Sequence, residues 1–505
     1  MGFNNHRNRN MKEFVIGLDI GTSSIKAVAM SISGKHEASA EIPLEIDTPK
    51  PNWREQHPET WWEASKLCLA KIANLVGGSN VKAIGLTGQM HSPAILDKNF
   101  TVIRPSILWN DGRTTSECNS LYQKLGKSYI KNSLGNPVLE GFTAPKILWI
   151  KKNEPENFKK ISTILIAKDF IGFKLTGELI TEPSDASGSL LMDINSCAWS
   201  DPILDLIGID LTTLPTIIES TNTRGFTNKK LFNITKIPTG TPVIAGGADN
   251  AASAISTGCV DPDTYQISIG TSGAVMKSSN TPIIDDSLKL HCFNHCIKDT
   301  WYSMGVTLSA GNSMSWYQSS ILENSKSLIQ LDKEASTTSP GSDNLIFLPY
   351  LNGERTPHNN PNARGCFIGL HSGHSKAHLS RAIMEGVSFS IKDCLNLFKE
   401  NTPSKHNYIF TGGGSKSDLW SQILSDTLNV PIKRVLNDSG ACVGAAMLSA
   451  VGLGWFRNTQ EAVNAWVSYE EPLIPDESNY YNYEKMYKKF QLIYQNLNQI
   501  LWEIK

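Results

Sequence analysis

The chain has 505 residues, 40% of them hydrophobic and 19% charged, with a formal net charge of −1. That length exceeds what one hydrophobic core organises, so two domains of ordinary size are expected. The near-neutral balance offers no basic field for nucleic acid or an anionic membrane, and no apolar run is long enough to span a bilayer. The nine cysteines, an odd number thinly spread, suit free thiols in a reducing cytoplasm better than a disulfide framework.

The opening MGFNNHRNRN lacks the apolar centre of a secretory signal, and His6 stands where a myristoylation motif wants Ser or Thr. Residues 1–10 therefore read as a polar tail. From Phe14, Phe-Val-Ile-Gly-Leu-Asp-Ile, then Gly-Thr-Ser-Ser, then Ile-Lys-Ala-Val-Ala-Met predicts strand, tight turn and strand, and EASAEIPLEI adds a third strand. His57-Pro58-Glu59 predicts a helix start, with Trp61, Ala64, Cys68, Ile72 and Leu75 as its buried stripe. A strand follows from Val81 to Leu86 and ends in the loop TGQMHS.

The second half repeats the plan. PVIAGGA reads as a strand and DNAASAISTG as a short helix. TYQISIG and AVMKSS flank a second turn, and a helix is expected from about His378 to Phe398. YIFTGGGSKSDLWSQILSDTLN reads as strand, glycine loop and helix, and SGACVGAAMLSAV as a small-residue helix able to pack closely. The expected class is α/β: two similar mixed domains around a central cleft, residues 11–256 and 257–505.

The two turns carry the first chemical signal. Asp19-Ile20-Gly21-Thr22-Ser23-Ser24 and Ser268-Ile269-Gly270-Thr271-Ser272-Gly273 share four of six positions. Glycine lets successive N–H groups point into one concavity, and Thr and Ser hydroxyls add donors, which is what a polyphosphate needs. Neither copy is a Walker loop, and a single such turn is usually only a turn; two matched copies suggest two domains gripping one nucleotide. Asp19 ends a buried strand, so it either caps the turn or holds Mg²⁺ beside the phosphates. The loop Thr411-Gly412-Gly413-Gly414-Ser415-Lys416-Ser417-Asp418 is either a plain helix start capped by Ser417 or Asp418, or a flat glycine surface for a nucleotide.

Gly246-Gly247-Ala248-Asp249-Asn250 places Asp249 between a strand and a helix, as an N-cap or as a general base for a sugar hydroxyl. Gly88-Gln89-Met90-His91-Ser92 sits at a strand end, where α/β sheets place ligand loops. Trp109, Asn110, Asp111 and Arg113 in LWNDGR form a polar cluster beside an aromatic, which suits a sugar. His291 and His295 would share a helix face as metal ligands, but the flanking residues read as paired strands, where positions four apart lie about 13 Å from each other.

Together these motifs resemble the FGGY carbohydrate kinases, of the sugar-kinase/actin/Hsp70-type (ribonuclease H-like) fold. Phe142-Thr143-Ala144-Pro145-Lys146-Ile147-Leu148-Trp149, and the run from Gly365 through CFIGLHSGHSKAHLSRAIMEGV, resemble the family's signatures. GQMH, LWNDGR, GGADNAASA and LPYLNGERTPHNNPNARG are most similar to the xylulose kinase branch. The resemblance implies ATP-dependent phosphorylation of D-xylulose, with ATP and Mg²⁺. It implies Asp249 as catalytic base, Met90 and His91 as substrate contacts, and Asn250 beside the base. It also implies Asp19 near the metal, through water or phosphate, and Gly21, Thr22, Gly270, Thr271, Gly412, Gly413 and Ser417 around the nucleotide. Trp109 joins the substrate contacts from the reading of its own cluster.

The sequence departs from the pattern at Ser92, where Gly is frequent, and at Ala167, where Pro often precedes Lys168-Asp169. Another ketose, such as L-xylulose or ribulose, stays open as substrate. A nucleotide-switched actin- or chaperone-like binding protein is the alternative of another class. The expected partners are a ketose and a nucleotide, with no nucleic acid and no membrane; a homodimer is left open.

Overall fold

The computed structural model describes residues 13–399, 405–436 and 440–502, so the tail at 1–10 lies outside the described residues. The first of two six-stranded sheets contains β1 (Phe14–Ile20), β2 (Ser24–Ser31), β3 (His36–Pro43), β4 (Val81–Gly88), β5 (Thr223–Phe226) and β6 (Pro242–Ala248). Their order is β5-β6-β4-β1-β2-β3. The second contains β7 (Thr264–Ile269), β8 (Gly273–Ser279), β9 (His291–Asn294), β10 (Trp301–Thr307), β11 (Asn407–Thr411) and β12 (Ile432–Arg434), ordered β9-β10-β8-β7-β11-β12.

The repeated turn reports a repeated strand plan. β1 runs antiparallel to β2 and parallel to β4, as β7 runs antiparallel to β8 and parallel to β11. Asp19 and Ser268 hold matching positions: each precedes the last residue of its strand and lies beside a threonine, Thr87 on β4 and Thr411 on β11. The hairpins differ in length. Ile20 pairs with Ile25 across Gly21, Thr22, Ser23 and Ser24, whereas Ile269 pairs with Gly273 across Gly270, Thr271 and Ser272.

Helix α1 (Pro58–Val76) begins as its sequence predicts: the His57 ring accepts the Glu59 amide and proline takes the first helical position. Trp61, Ala64, Cys68 and Ile72 are buried, but Leu75 is 67% exposed. The buried face includes Ser65, Leu69 and Ala73 as well, which puts Leu75 at its rim. The segment around His291 and His295 is the predicted strand pair, β9 with β10. Both histidines are buried; the first bonds Asn136 and the second the Cys259 carbonyl. All nine cysteines are free thiols.

The small-residue helix α7 is numbered after α2 (Thr143–Asn153), α3 (Pro183–Gly188), α4 (Asp249–Thr257), α5 (Lys376–Asn396) and α6 (Asp418–Leu428); α7 itself spans Ala441–Gly452. Although late in the chain, α7 lies on the first sheet. A Cβ at Gly17 would fall 1.8 Å from the Cys442 carbonyl oxygen, and one at Gly85 would fall 2.1 Å from that of Ala445. On the other side, a Cβ at Gly444 would fall 1.8 Å from the Ala252 carbonyl oxygen. Such approach without side chains between holds α7 tightly between α4, which begins at Asp249, and the strands β1 and β4. One hydrophobic cluster includes Val15 and Ala83 from the first sheet and Phe293 and Tyr302 from the second.

Candidate active site

β1 delivers Asp19 to the strand end, and β6 delivers Asp249 to the first position of α4. Ala248, not Asp249, occupies the N-cap, and the Asp249 carboxylate accepts the Asn250 amide at 2.7 Å. Burial raises Asp249 from 3.8 to about 7, and the negative charge of Asp19 adds to the rise. Burial likewise raises Asp19 to about 6, opposed by Lys26 across the hairpin. Asp19 Oδ1 is buried and has no hydrogen-bond partner. An anionic oxygen shielded from water and left without a donor fits a hard divalent cation or its bound water. The two carboxylates are thus near enough for the charge of one to raise the other.

The loop after β4 supplies the second wall. Gln89 continues the ladder by donating to the Ile20 carbonyl at 2.9 Å. Met90 Sδ lies 3.6 Å from Asn250 Nδ2 and 3.8 Å from Tyr302 Oη, so Met90 and Asn250 meet. His91 takes a left-handed backbone, φ 69°, and its Nδ1 meets the Gly188 carbonyl at 2.5 Å. Its ring centroid is 4.5 Å from that of Phe142 and 6.1 Å from that of Phe293.

LWNDGR divides in two. Trp109 stays open, 42% exposed, and donates from Nε1 to Thr22 Oγ1 at 2.9 Å. Asp111 and Arg113 face each other. They form a buried ion pair at 2.7 Å; Arg113 also reaches Glu55 at 2.7 Å and packs over Trp53. A carboxylate and a guanidinium this close satisfy each other, which the one-dimensional spacing could not distinguish from a sugar-reading cluster. Thr22 in turn donates to Gln89 Oε1 at 3.2 Å, and Ser92 Oγ donates to the same oxygen at 3.0 Å. Ser92 also accepts the Trp109 amide at 3.2 Å. This ring of bonds ties the first hairpin to the loop carrying Met90 and His91.

The second hairpin opens on a cavity of about 610 Å³ lined by Gly270, Thr271, Gly413 and Ser417, together with Met314, Leu328, Ile329, Asp332 and Met384. Four of the residues expected at the nucleotide therefore share one cavity. Its apolar side was not legible, because Leu328 and Met384 lie far from the glycine loops in the chain. Of the two caps the sequence offers, Ser417 and Asp418, Ser417 is the N-cap of α6, accepting the Trp420 amide at 2.9 Å, and it also donates to Asp332. Gly412 has φ 87°, and a Cβ there would fall 2.7 Å from the Ile269 carbonyl oxygen, so its backbone presses against the end of β7. Gly21 and Thr22 are outside the lining of this cavity.

Asp343, His371 and His374 also have metal-like spacing. Each ring, however, accepts a backbone amide at Nδ1, from Gly373 at 3.0 Å and from His371 at 3.1 Å. That leaves the proton on Nε2, facing the Asp343 side chain and carbonyl. The group fastens its loop and presents no free imidazole lone pair to a cation.

The FGGY family of carbohydrate kinases matches the chain twice, its N-terminal domain over residues 14–256 and its C-terminal domain over residues 265–453. The chain belongs to the FGGY family of carbohydrate kinases. It is 39% identical to a xylulose kinase of Lactococcus lactis subsp. lactis, covering 96% of this chain and 97% of that protein. It is 37% identical to a xylulose kinase of Bacillus subtilis, covering 98% of this chain and 99% of that protein. A crystal structure of a kinase from Brucella ovis, described as "xyloylose kinase", superposes with a TM-score of 0.90 at 32% identity, covering 97% of this chain and 100% of that one. The fold is therefore the two-domain FGGY sugar kinase fold, as the motifs implied. Among the described residues, no helix is long and apolar enough to cross a membrane.

Proposed function

We propose that this FGGY kinase transfers the terminal phosphoryl group of ATP to D-xylulose, forming D-xylulose 5-phosphate. The observation that carries the chemistry is Asp249, raised to about 7 at the start of α4 and next to the loop of Met90 and His91. A general base works best with a pKa near the working pH. The xylulose kinases similar to this chain over nearly its whole length support the choice of sugar.

In this reading Met90, His91, Asn250 and the face of Trp109 hold the ketose. Asp249 accepts the proton of the 5-hydroxyl as that oxygen attacks the γ-phosphorus and the bond to ADP breaks. The cavity at Gly270, Thr271, Gly413 and Ser417 takes the nucleotide, its apolar side against the base. Asp19 would hold Mg²⁺, which when bound neutralises charge on the phosphates. The hairpin amides stabilise the charge that spreads over the transferring group.

ADP release measured with D-xylulose, other ketoses and no sugar tests the assignment. D-Xylulose should give the highest kcat/KM. A different preferred ketose reassigns the substrate, and ATP hydrolysis without a phosphorylated sugar would favour a nucleotide-switched binding protein. Asp249→Asn should lower turnover about 1,000-fold while leaving ATP affinity within about twofold; full turnover in that variant would sink the base assignment.

A further inference from the structure

Lys146 is fully buried, and among the described residues no carboxylate pairs with it. Burial pushes its amine well below the ordinary lysine range. An unpaired buried amine is costly, so a chain that keeps one needs its hydrogen bonds. Lys146 Nζ donates to two carbonyls, that of Gly141 at 2.7 Å and that of His91 at 3.0 Å. Thr143, one helical turn earlier on α2, donates from Oγ1 to the same His91 carbonyl at 3.1 Å. His91 is the residue with the left-handed backbone, a conformation unfavourable outside glycine that persists only where the surroundings impose it.

The ring is set from the other side. Gly188 offers only a carbonyl, so His91 Nδ1 must carry the proton and donate. Nε2 is left with a lone pair and, among the described residues, no protein partner. Burial holds the imidazole at about 3, so the ring stays neutral at working pH.

We infer that Lys146 and Thr143 are positioning residues that clamp the His91 backbone so that Nε2 accepts a hydrogen bond from a sugar hydroxyl. An amine donates N–H in either protonation state, so the clamp does not depend on the lysine's charge. The inference rests on the reading that the Met90–His91 loop contacts the sugar, and it adds two residues and a tautomer to it.

Lys146→Met keeps length and apolar volume while removing both bonds; Thr143→Val removes one bond, and Thr143→Ser keeps it. Both Lys146→Met and Thr143→Val should raise the KM for the ketose about tenfold, with the KM for ATP unchanged and Thr143→Ser near wild type. Should Lys146→Met fail to fold, the Thr143 pair carries the test. An unchanged ketose KM in Thr143→Val and in a folded Lys146→Met overturns the clamp, as does a parallel rise in both KM values. Imidazole nitrogen NMR gives a reading independent of turnover. Wild-type His91 should show a neutral ring protonated at Nδ1, and a ring protonated at Nε2 overturns the tautomer. Wild-type protein that phosphorylates no sugar overturns the proposed function instead, whatever the NMR result.

Discussion

The first hairpin is bonded through Thr22 to Trp109 and to Gln89, the residue before Met90 and His91, and carries the orphaned carboxylate Asp19. The second carries Ser268 in the matching register and borders a roomy cavity with an apolar side. The same strand plan thus serves two tasks. One copy carries a carboxylate and is bonded to the loop of Met90 and His91; the other borders a cavity with an apolar side. The difference teaches what the single acid does: Asp19 already raises Asp249, and under the proposed function a second carboxylate beside the phosphates would add repulsion.

The largest test of that asymmetry is Asp19→Asn, which should lower turnover about 100-fold or more if Asp19 meets the cation. Its residual activity sharpens the comparison. Asp249 must be ionised to accept a proton, so kcat/KM for the sugar should rise with pH and level off above about 7. Without the charge of Asp19 the midpoint should move to lower pH; an unmoved midpoint would break the electrostatic link between the two acids.

Next in size is Ser268→Asp, which gives both hairpins an acid and should raise the KM for ATP about tenfold. Unchanged ATP affinity would mean that the second hairpin does not face phosphate. Ile329→Ser, on the apolar side of the cavity, should raise the KM for ATP about threefold and leave the ketose KM alone.

The smallest effect is on stability. Asp249 is raised from 3.8 to about 7, so its charged form opposes folding, an effect absent below the unfolded value and complete above about 7. Asp249→Asn should therefore melt a few degrees higher than wild type at pH 8 and almost equally at pH 3.5, where the folded carboxyl binds the proton and the unfolded one mostly does. A variant that gains nothing at pH 8 would show that Asp249 is not strained in the unliganded fold.

Local patterns were legible wherever one segment decides them. The strand runs around the two turns, the proline start of α1, the Ser417 cap and the small residues of α7 all appear as read. The reading went astray where a partner far along the chain decides. Asp111 and Arg113 pair with each other, Arg113 also with Glu55, and Leu75 falls at the rim of a face centred elsewhere on α1. Lys146 stood inside a recognised motif with no role attached, because its two acceptors, Gly141 and His91, become neighbours only when α2 packs beside the β4 loop.

By itself the sequence determined that two similar α/β halves each offer a glycine-threonine turn, that only one turn carries an acid, and that a second acid begins a helix. These are properties of short segments, governed by side-chain alternation, backbone freedom and capping. Only the tertiary structure decided that Asp19 and Asp249 share a field, that Thr22 answers to the loop of Met90 and His91, and that Leu328 and Met384 complete the cavity beside Gly270. Charge coupling, burial and hydrogen-bond closure depend on distance in space, and the close approach of α7 to Gly17 and Gly85 brings the parts within that distance.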